Sequence, residues 1–124
     1  MRLLLDTHAF LWWSEDDLRL KQAVRESIAE AEQVLVSVAS AWEAAIKMVL
    51  GKLQIVLPFE EAVEISQFSK LLIDFRHAAA VAALPHHHGD PFDRMLIAQA
   101  QVEGLTLVTH DRRFEPYRVP VLWT

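Results

Sequence analysis

The sequence predicts an α/β fold in which a mostly parallel sheet carries helices on both faces. Three observations lead there. Short apolar runs alternate with longer amphipathic stretches along the whole chain. The runs lack polar alternation, as expected of strands buried on both sides. Several amphipathic stretches stop at Gly51, Pro85 and Gly104, residues that end helices.

Leu3–Leu5 is a short apolar run closed by an acid and reads as a buried strand. Ala9–Trp13 begins a turn or helix rich in bulky groups. From Asp17 to Glu32, the apolar residues Leu18, Leu20, Val24, Ile28 and Ala31 recur at helical spacing. Val34–Val36 is β-branched and short, a second buried strand. Ser40 opens a helix through Leu50, stopped by Gly51. Pro58 suits a first helical turn, and the helix runs to about Ser69.

Leu71–Ile73 is a candidate third strand. Arg76–Leu84 is alanine-rich and helical, ending at Pro85, and His86–Gly89 is a loop. Asp90-Pro91 starts a strong helix that reaches Glu103, with Gly104 as its stop. Leu105–Val108 is a fourth strand, Asp111–Tyr117 a loop with a helical turn, and Val119–Leu122 a last strand.

At 124 residues, residues 1–124 suit a single domain. A hydrophobic fraction of 52% is enough for a core and argues against disorder. The absence of cysteine removes disulfides, thiolate zinc sites and cysteine nucleophiles, and fits a reducing compartment. The leading apolar stretch ends at Asp6, too short for a signal-peptide core, and no apolar run approaches a membrane span. These features lead us to expect a soluble, cytoplasmic protein. A net charge of −5 argues against tight nonspecific binding to nucleic acid, although basic residues cluster at Arg112-Arg113 and Arg118.

Four acids fall at matching places. Asp6, Glu43, Asp93 and Asp111 each follow an apolar run or sit at the start of an amphipathic helix. In an open α/β sheet those places lie at one edge, where ligands bind. Two carboxylates about 4 Å apart repel by roughly 4 kcal/mol at an effective dielectric near 20, and a hard divalent cation bound through oxygen ligands relieves that.

Each acid alone also has a bland explanation. Asp6 also reads as a turn residue or a cap for the next helix, the lesser of its two readings. Ser40-Ala41-Trp42-Glu43 is a capping-box pattern that would account for Glu43. In Asp90-Pro91-Phe92-Asp93, Asp90 looks like the N-cap, while Asp93 continues the apolar face of Leu96, Ile97 and Ala100. Asp111 fits an ordinary turn after a strand, and Thr109 either bonds a neighbouring carboxylate or caps that turn. The joint placement is the stronger signal.

His86-His87-His88 invites a transition-metal reading, but adjacent loop residues rarely aim three nitrogens at one ion. A solvated loop, or one histidine near the site, is the better expectation. His8 and His110 flank the first and last acids, within reach of a substrate there. Trp12, Trp13, Trp42 and Trp123 read mainly as core, with one of the adjacent pair Trp12-Trp13 free for a partner. There is no phosphate-binding glycine loop and no serine nucleophile elbow.

Taken together, Leu4 through His8, Ser37 through Lys47, Asp90 through Ala100 and Leu107 through Phe114 resemble PIN-domain ribonucleases, specifically VapC-type toxins of type II toxin–antitoxin pairs. The resemblance covers nearly the whole length. It implies a three-layer α/β/α sandwich, Rossmann-like, around a parallel sheet, usually dimeric. Asp6, Glu43, Asp93 and Asp111 would form an acidic catalytic site holding Mg²⁺ or Mn²⁺, with Thr109 and Asp90 beside it. Arg94, Arg112 and Arg113 are candidate contacts to RNA phosphates. The implied activity is metal-dependent hydrolysis of RNA phosphodiesters, and the implied partners are RNA, an antitoxin protein and a second copy of the chain, with no membrane. One departure is His8, where many relatives carry asparagine.

Two other classes compete. A non-catalytic interaction domain would keep the fold and use the acids as caps. A receiver-like module would also place acids at strand ends, but no lysine follows a late strand here.

Overall fold

A computed structural model describes residues 1–124. β1 (Arg2–Leu5) leads into α1 (Thr7–Ser14) and α2 (Gln22–Glu30). β2 (Gln33–Ser37) runs straight into α3 (Val38–Val49), followed by α4 (Phe59–Ile65) and β3 (Ser69–Leu71). Then come α5 (Phe75–Ala83), α6 (Pro91–Glu103), β4 (Thr106–Thr109), a 3₁₀ turn (Arg112–Phe114) and β5 (Val121–Trp123).

The strands form one sheet in the order β3-β2-β1-β4-β5, and every pairing is parallel. Leu4 pairs with Leu35 on one side and Leu107 on the other. Both sheet faces are covered, which explains the unbroken apolar runs. Leu3, Leu5, Val36 and Val108 pack with Phe10, Leu20, Val24, Ile28 and Val63 on the face of α1, α2 and α4. Leu4, Leu35 and Leu107 pack with Ala39, Leu96, Ile97, Ala100 and Phe114 on the opposite face. The result is the expected three-layer sandwich. No helix is long and apolar enough to cross a membrane.

The chain leaves β1 for β2 and β3 on one side and reaches β4 and β5 on the other. The order therefore reverses between β1 and β4, and a crevice opens beyond their carboxyl ends.

Several expected boundaries move, each for a local reason. The chain before α2 is not helical. Asp16 takes φ 54°, Asp17 accepts a hydrogen bond from the Arg19 amide, and Leu18 is left exposed. Ser37, not Ser40, caps α3: its Oγ accepts from the Ala39 amide. The Ser40–Glu43 capping box is therefore absent, and Ser40 lies inside the helix with a buried, unpaired Oγ. Gln67, at φ 60°, ends the turn after α4, so β3 starts at Ser69 and leaves Leu72 and Ile73 outside the sheet. β5 begins at Val121, because Val119 and Pro120 precede the ladder. Among the tryptophans, Trp42 is 59% exposed and meets Phe92 edge-on, contrary to the core reading.

Candidate active site

The crevice at the β1–β4 reversal is a cleft of about 550 Å³, and the side chains of Asp6, Glu43, Asp93 and Asp111 all line it. Asp6 follows β1 directly and also caps α1: its Oδ1 accepts from the Ala9 amide at 2.8 Å. Its Oδ2 accepts from the Thr109 hydroxyl at 2.5 Å, across the gap between β1 and β4. The cap reading and the cleft reading of Asp6 are thus both true. Thr109 Oγ1 also accepts from the Asp111 amide, which ties the two strand ends together.

Glu43 enters from the second turn of α3 and is buried. Its Oε1 accepts from the Thr7 hydroxyl, and its Oε2 pairs with Lys47 Nζ at 2.9 Å, one turn along the helix. Asp93 is the third residue of α6, set there by the Asp90 cap and Pro91. Its Oδ2 lies 2.8 Å from His88 Nε2, and His88 is buried. Asp111 is more open. It caps the 3₁₀ turn, and both its oxygens accept from the Arg113 guanidinium, the shorter contact being 2.6 Å.

These environments separate the acids electrostatically. Burial pushes the Asp6 carboxyl up to about 7, against the hydrogen bonds from Thr109 and Ala9 and with help from the charges of Asp93 and Glu43. Burial likewise raises Asp93 to about 6, opposed by His88 and reinforced by Asp90 and Glu43. Asp111 moves the other way, held below the usual carboxylate range by the Arg113 hydrogen bond. Lys47 balances Glu43 and Arg113 balances Asp111, but nothing of fixed positive charge pairs with Asp6.

A divalent cation fits this donor set. The donors are mainly carboxylate oxygens, the ligand type of hard cations, and buried Asp6 has no cationic partner in the protein, only the hydrogen bonds from Thr109 and Ala9. One ligand atom each of His88, Asp93 and Asp111 lies within 4.8 Å of the others, a further grouping able to hold an ion.

The sequence reading of the bases needs one correction. Arg112 and Arg113 line the cleft, but Arg94 does not. Its guanidinium donates to the Pro85 and Val81 carbonyls at 2.9 and 3.2 Å and to the Tyr117 hydroxyl, binding the loop before α6 to the core. A side chain spent on carbonyls is not free for a phosphate. Sequence reasoning missed Thr7, Lys47 and Arg19, which also line the cleft. Lys47 was detectable in principle, four residues after Glu43 on one helix. The expectation of one histidine of the His86–His88 loop near the site is met by His88, and the path of the loop decides which of the three it is.

Known proteins share this architecture and sequence. The PIN domain family matches residues 3–119. The chain is 33% identical over 126 residues to "Ribonuclease VapC22" of Mycobacterium tuberculosis, covering 95% of this chain and 93% of that protein. Its fold is similar to that of VapBC2 from Rickettsia felis bound to a DNA fragment from its promoter, with TM-score 0.75 and 14% identity over 100% of this chain and 99% of the other. A toxin–antitoxin complex from Klebsiella pneumoniae is also similar, with TM-score 0.68 and 20% identity over 97% and 95% of the two chains.

Proposed function

From a chain that belongs to the PIN domain family, among its VapC-type members, we infer a divalent-metal-dependent endoribonuclease that acts as the toxin of a toxin–antitoxin pair. The observation that carries this reading is the convergence of Asp6, Glu43, Asp93 and Asp111 on the one crevice where the strand order reverses, with burial raising the carboxyls of Asp6 and Asp93.

Asp6, Glu43, Asp93 and Asp111 would hold Mg²⁺ or Mn²⁺. A bound ion there would supply Lewis acidity toward the phosphate and ease deprotonation of the attacking water. The protein's own groups do the rest. Thr109 holds Asp6 in one rotamer, Thr7 and Lys47 hold Glu43, and His88 holds Asp93. Such outer contacts fix ligand orientation and tune affinity. Asp90 acts through the helix: by capping α6 it sets the height of Asp93. Arg112 at the rim would attract the phosphate backbone, which the net charge of −5 would otherwise repel, while Arg113 is engaged by Asp111 and has only Nη1 left to offer.

The partners in this reading are an RNA substrate, a small antitoxin protein and a second copy of the chain. Similarity to the Klebsiella pneumoniae toxin–antitoxin complex supports the antitoxin. The exposed apolar side chains Val38, Trp42 and Ile73 support a protein-covered surface.

The test is cleavage of purified cellular RNA by antitoxin-free protein with Mg²⁺ or Mn²⁺, and with EDTA as control. Cleavage should require the ion and disappear in folded Asp6→Asn and Asp93→Asn. Absence of cleavage with either ion, or cleavage that survives both substitutions, rejects the proposal.

A further inference from the structure

The cleft has a second wall that the acids do not use. His8 and Trp12 stand one turn apart on α1, with ring centroids 6.0 Å apart and planes at 35°. His110, just beyond β4, meets Trp12 from another side at 5.8 Å and 66°. Trp12 is buried, so its indole is the back of a notch whose exposed sides are the two imidazoles. His110 is held in place: its Nδ1 lies 2.9 Å from the main-chain oxygen of Thr124 and donates to it.

Cations frame the notch. The Arg19 guanidinium lies 5.1 Å over the Trp12 ring, held by Asp17 through Nε and Nη2 so that Nη1 is the donor left for a phosphate, and that of Arg112 lies 4.2 Å over Trp123. Both arginines are exposed and line the same cleft as the acids. Trp12 is the only hydrophobic residue among the thirteen that line it, so the aromatic surface is confined to this wall.

Core packing accounts for Trp12 but not for two exposed rings that line one cleft together with two arginines. Flat aromatic surface beside positive charge is how single-stranded nucleic acid is held: bases stack on rings while cations follow the phosphates. A duplex keeps its base faces stacked internally and cannot offer one to the wall. A cationic peptide would meet Arg19 and Arg112. A small anion would need the arginines but not the rings.

We propose that His8, His110 and Trp12 form a nucleobase subsite. A base of single-stranded RNA next to the scissile phosphate stacks on His8 in the notch, and Arg19 and Arg112 take the flanking phosphates. The proposal rests on the ribonuclease reading for its substrate class, and it makes His8 a determinant of which RNA positions are cut.

Two measurements test it, one without turnover. In EDTA, homopolymer hexaribonucleotides of each base are titrated into the protein while the ring resonances of His8 and His110 are followed by NMR. The expected result is a saturable shift of both rings, larger for one base than another and absent with an RNA duplex. With Mn²⁺, His8→Ala should raise KM for single-stranded RNA roughly 5- to 100-fold, more than it lowers kcat, and change the mapped cleavage positions. His8→Phe, which restores a stacking face, should recover most of the KM.

Unshifted rings together with a KM for His8→Ala within twofold of wild type overturn the subsite. So does a His8→Phe variant as impaired as His8→Ala, or a duplex that shifts the rings as the single strand does. Thermal melts of both variants exclude misfolding as the cause. Failure of the wild type to cut any RNA would instead reject the ribonuclease reading, while the EDTA titration would still decide whether the wall takes a base.

Discussion

Replacing Asp6 by asparagine should make the metal-free protein more stable while abolishing its proposed activity. Asp6 is 7% exposed and has a carboxyl pKa raised from 3.8 to about 7, chiefly by burial. A folded-state pKa above the unfolded value means that the native protein keeps a proton the unfolded chain has released. The penalty is absent below about pH 3.8, grows as pH rises, and is complete above about pH 7. At 1.36 kcal/mol per pH unit, the interval from 3.8 to 7 amounts to about 4 kcal/mol. Asparagine removes the charge but keeps the contacts, since its amide oxygen can still accept from Ala9 and its nitrogen can donate to Thr109. We expect Asp6→Asn to gain about 2–4 kcal/mol at pH 8 in EDTA, raising Tm by about 10 °C for a chain of this size. At pH 4 the difference should nearly vanish. Saturating Mn²⁺ at a hundredfold excess over Kd should add about 2.7 kcal/mol to the wild type and little to the variant. The assay is thermal unfolding of both proteins across pH 4–8, with and without Mn²⁺. A variant no more stable than wild type at pH 8, or a gain that does not depend on pH, would refute the electrostatic reasoning.

Other outcomes follow from particular contacts. His88→Ala should weaken Mn²⁺ binding about 10- to 100-fold by calorimetry, because Asp93 loses the group that orients it. Lys47→Met leaves Glu43 buried without its cation; it should lower the stability of the metal-free protein, and Mn²⁺ should restore much of the loss in a thermal melt. Ser37→Ala removes the α3 cap and strands the Gln99 carbonyl oxygen, which now accepts from Ser37 at 2.6 Å; urea unfolding should show a loss of about 2–3 kcal/mol. Ser40→Ala deletes a buried hydroxyl with no partner and should be neutral or mildly stabilising in the same assay. The reverse ranking of these two serines would contradict the observed start of α3.

Much of this architecture is legible from residue order because its signals are local. Leu3–Leu5 and Leu105–Val108 announce buried strands by composition, and Asp90-Pro91 announces a helix start by its own stereochemistry. Asp6 and Asp111 stand where such strands must end. The misplaced boundaries lie where local signals compete. Ser40-x-x-Glu43 is as good a capping box as any, but β2 passes into α3 at Ser37, and Ser37 has a partner in Gln99, sixty-two residues away. Arg94 looks like a phosphate ligand beside Asp93 until the loop before α6 folds its carbonyls around the guanidinium.

Order along the chain therefore determined the parallel α/β class, the element sequence and the acids that line the cleft, Asp6, Glu43, Asp90, Asp93 and Asp111, since periodicity, capping and strand-end position are properties of neighbours. Only the tertiary structure decided which of those charges are balanced. Thr7 reaches Glu43 across 36 residues, Thr109 reaches Asp6 across 103, and His8, Trp12 and His110 become one wall only when β1 and β4 lie side by side. Burial and distance set the pKa of Asp6 and the shape of the aromatic notch, and neither quantity exists until the sheet has closed over its core.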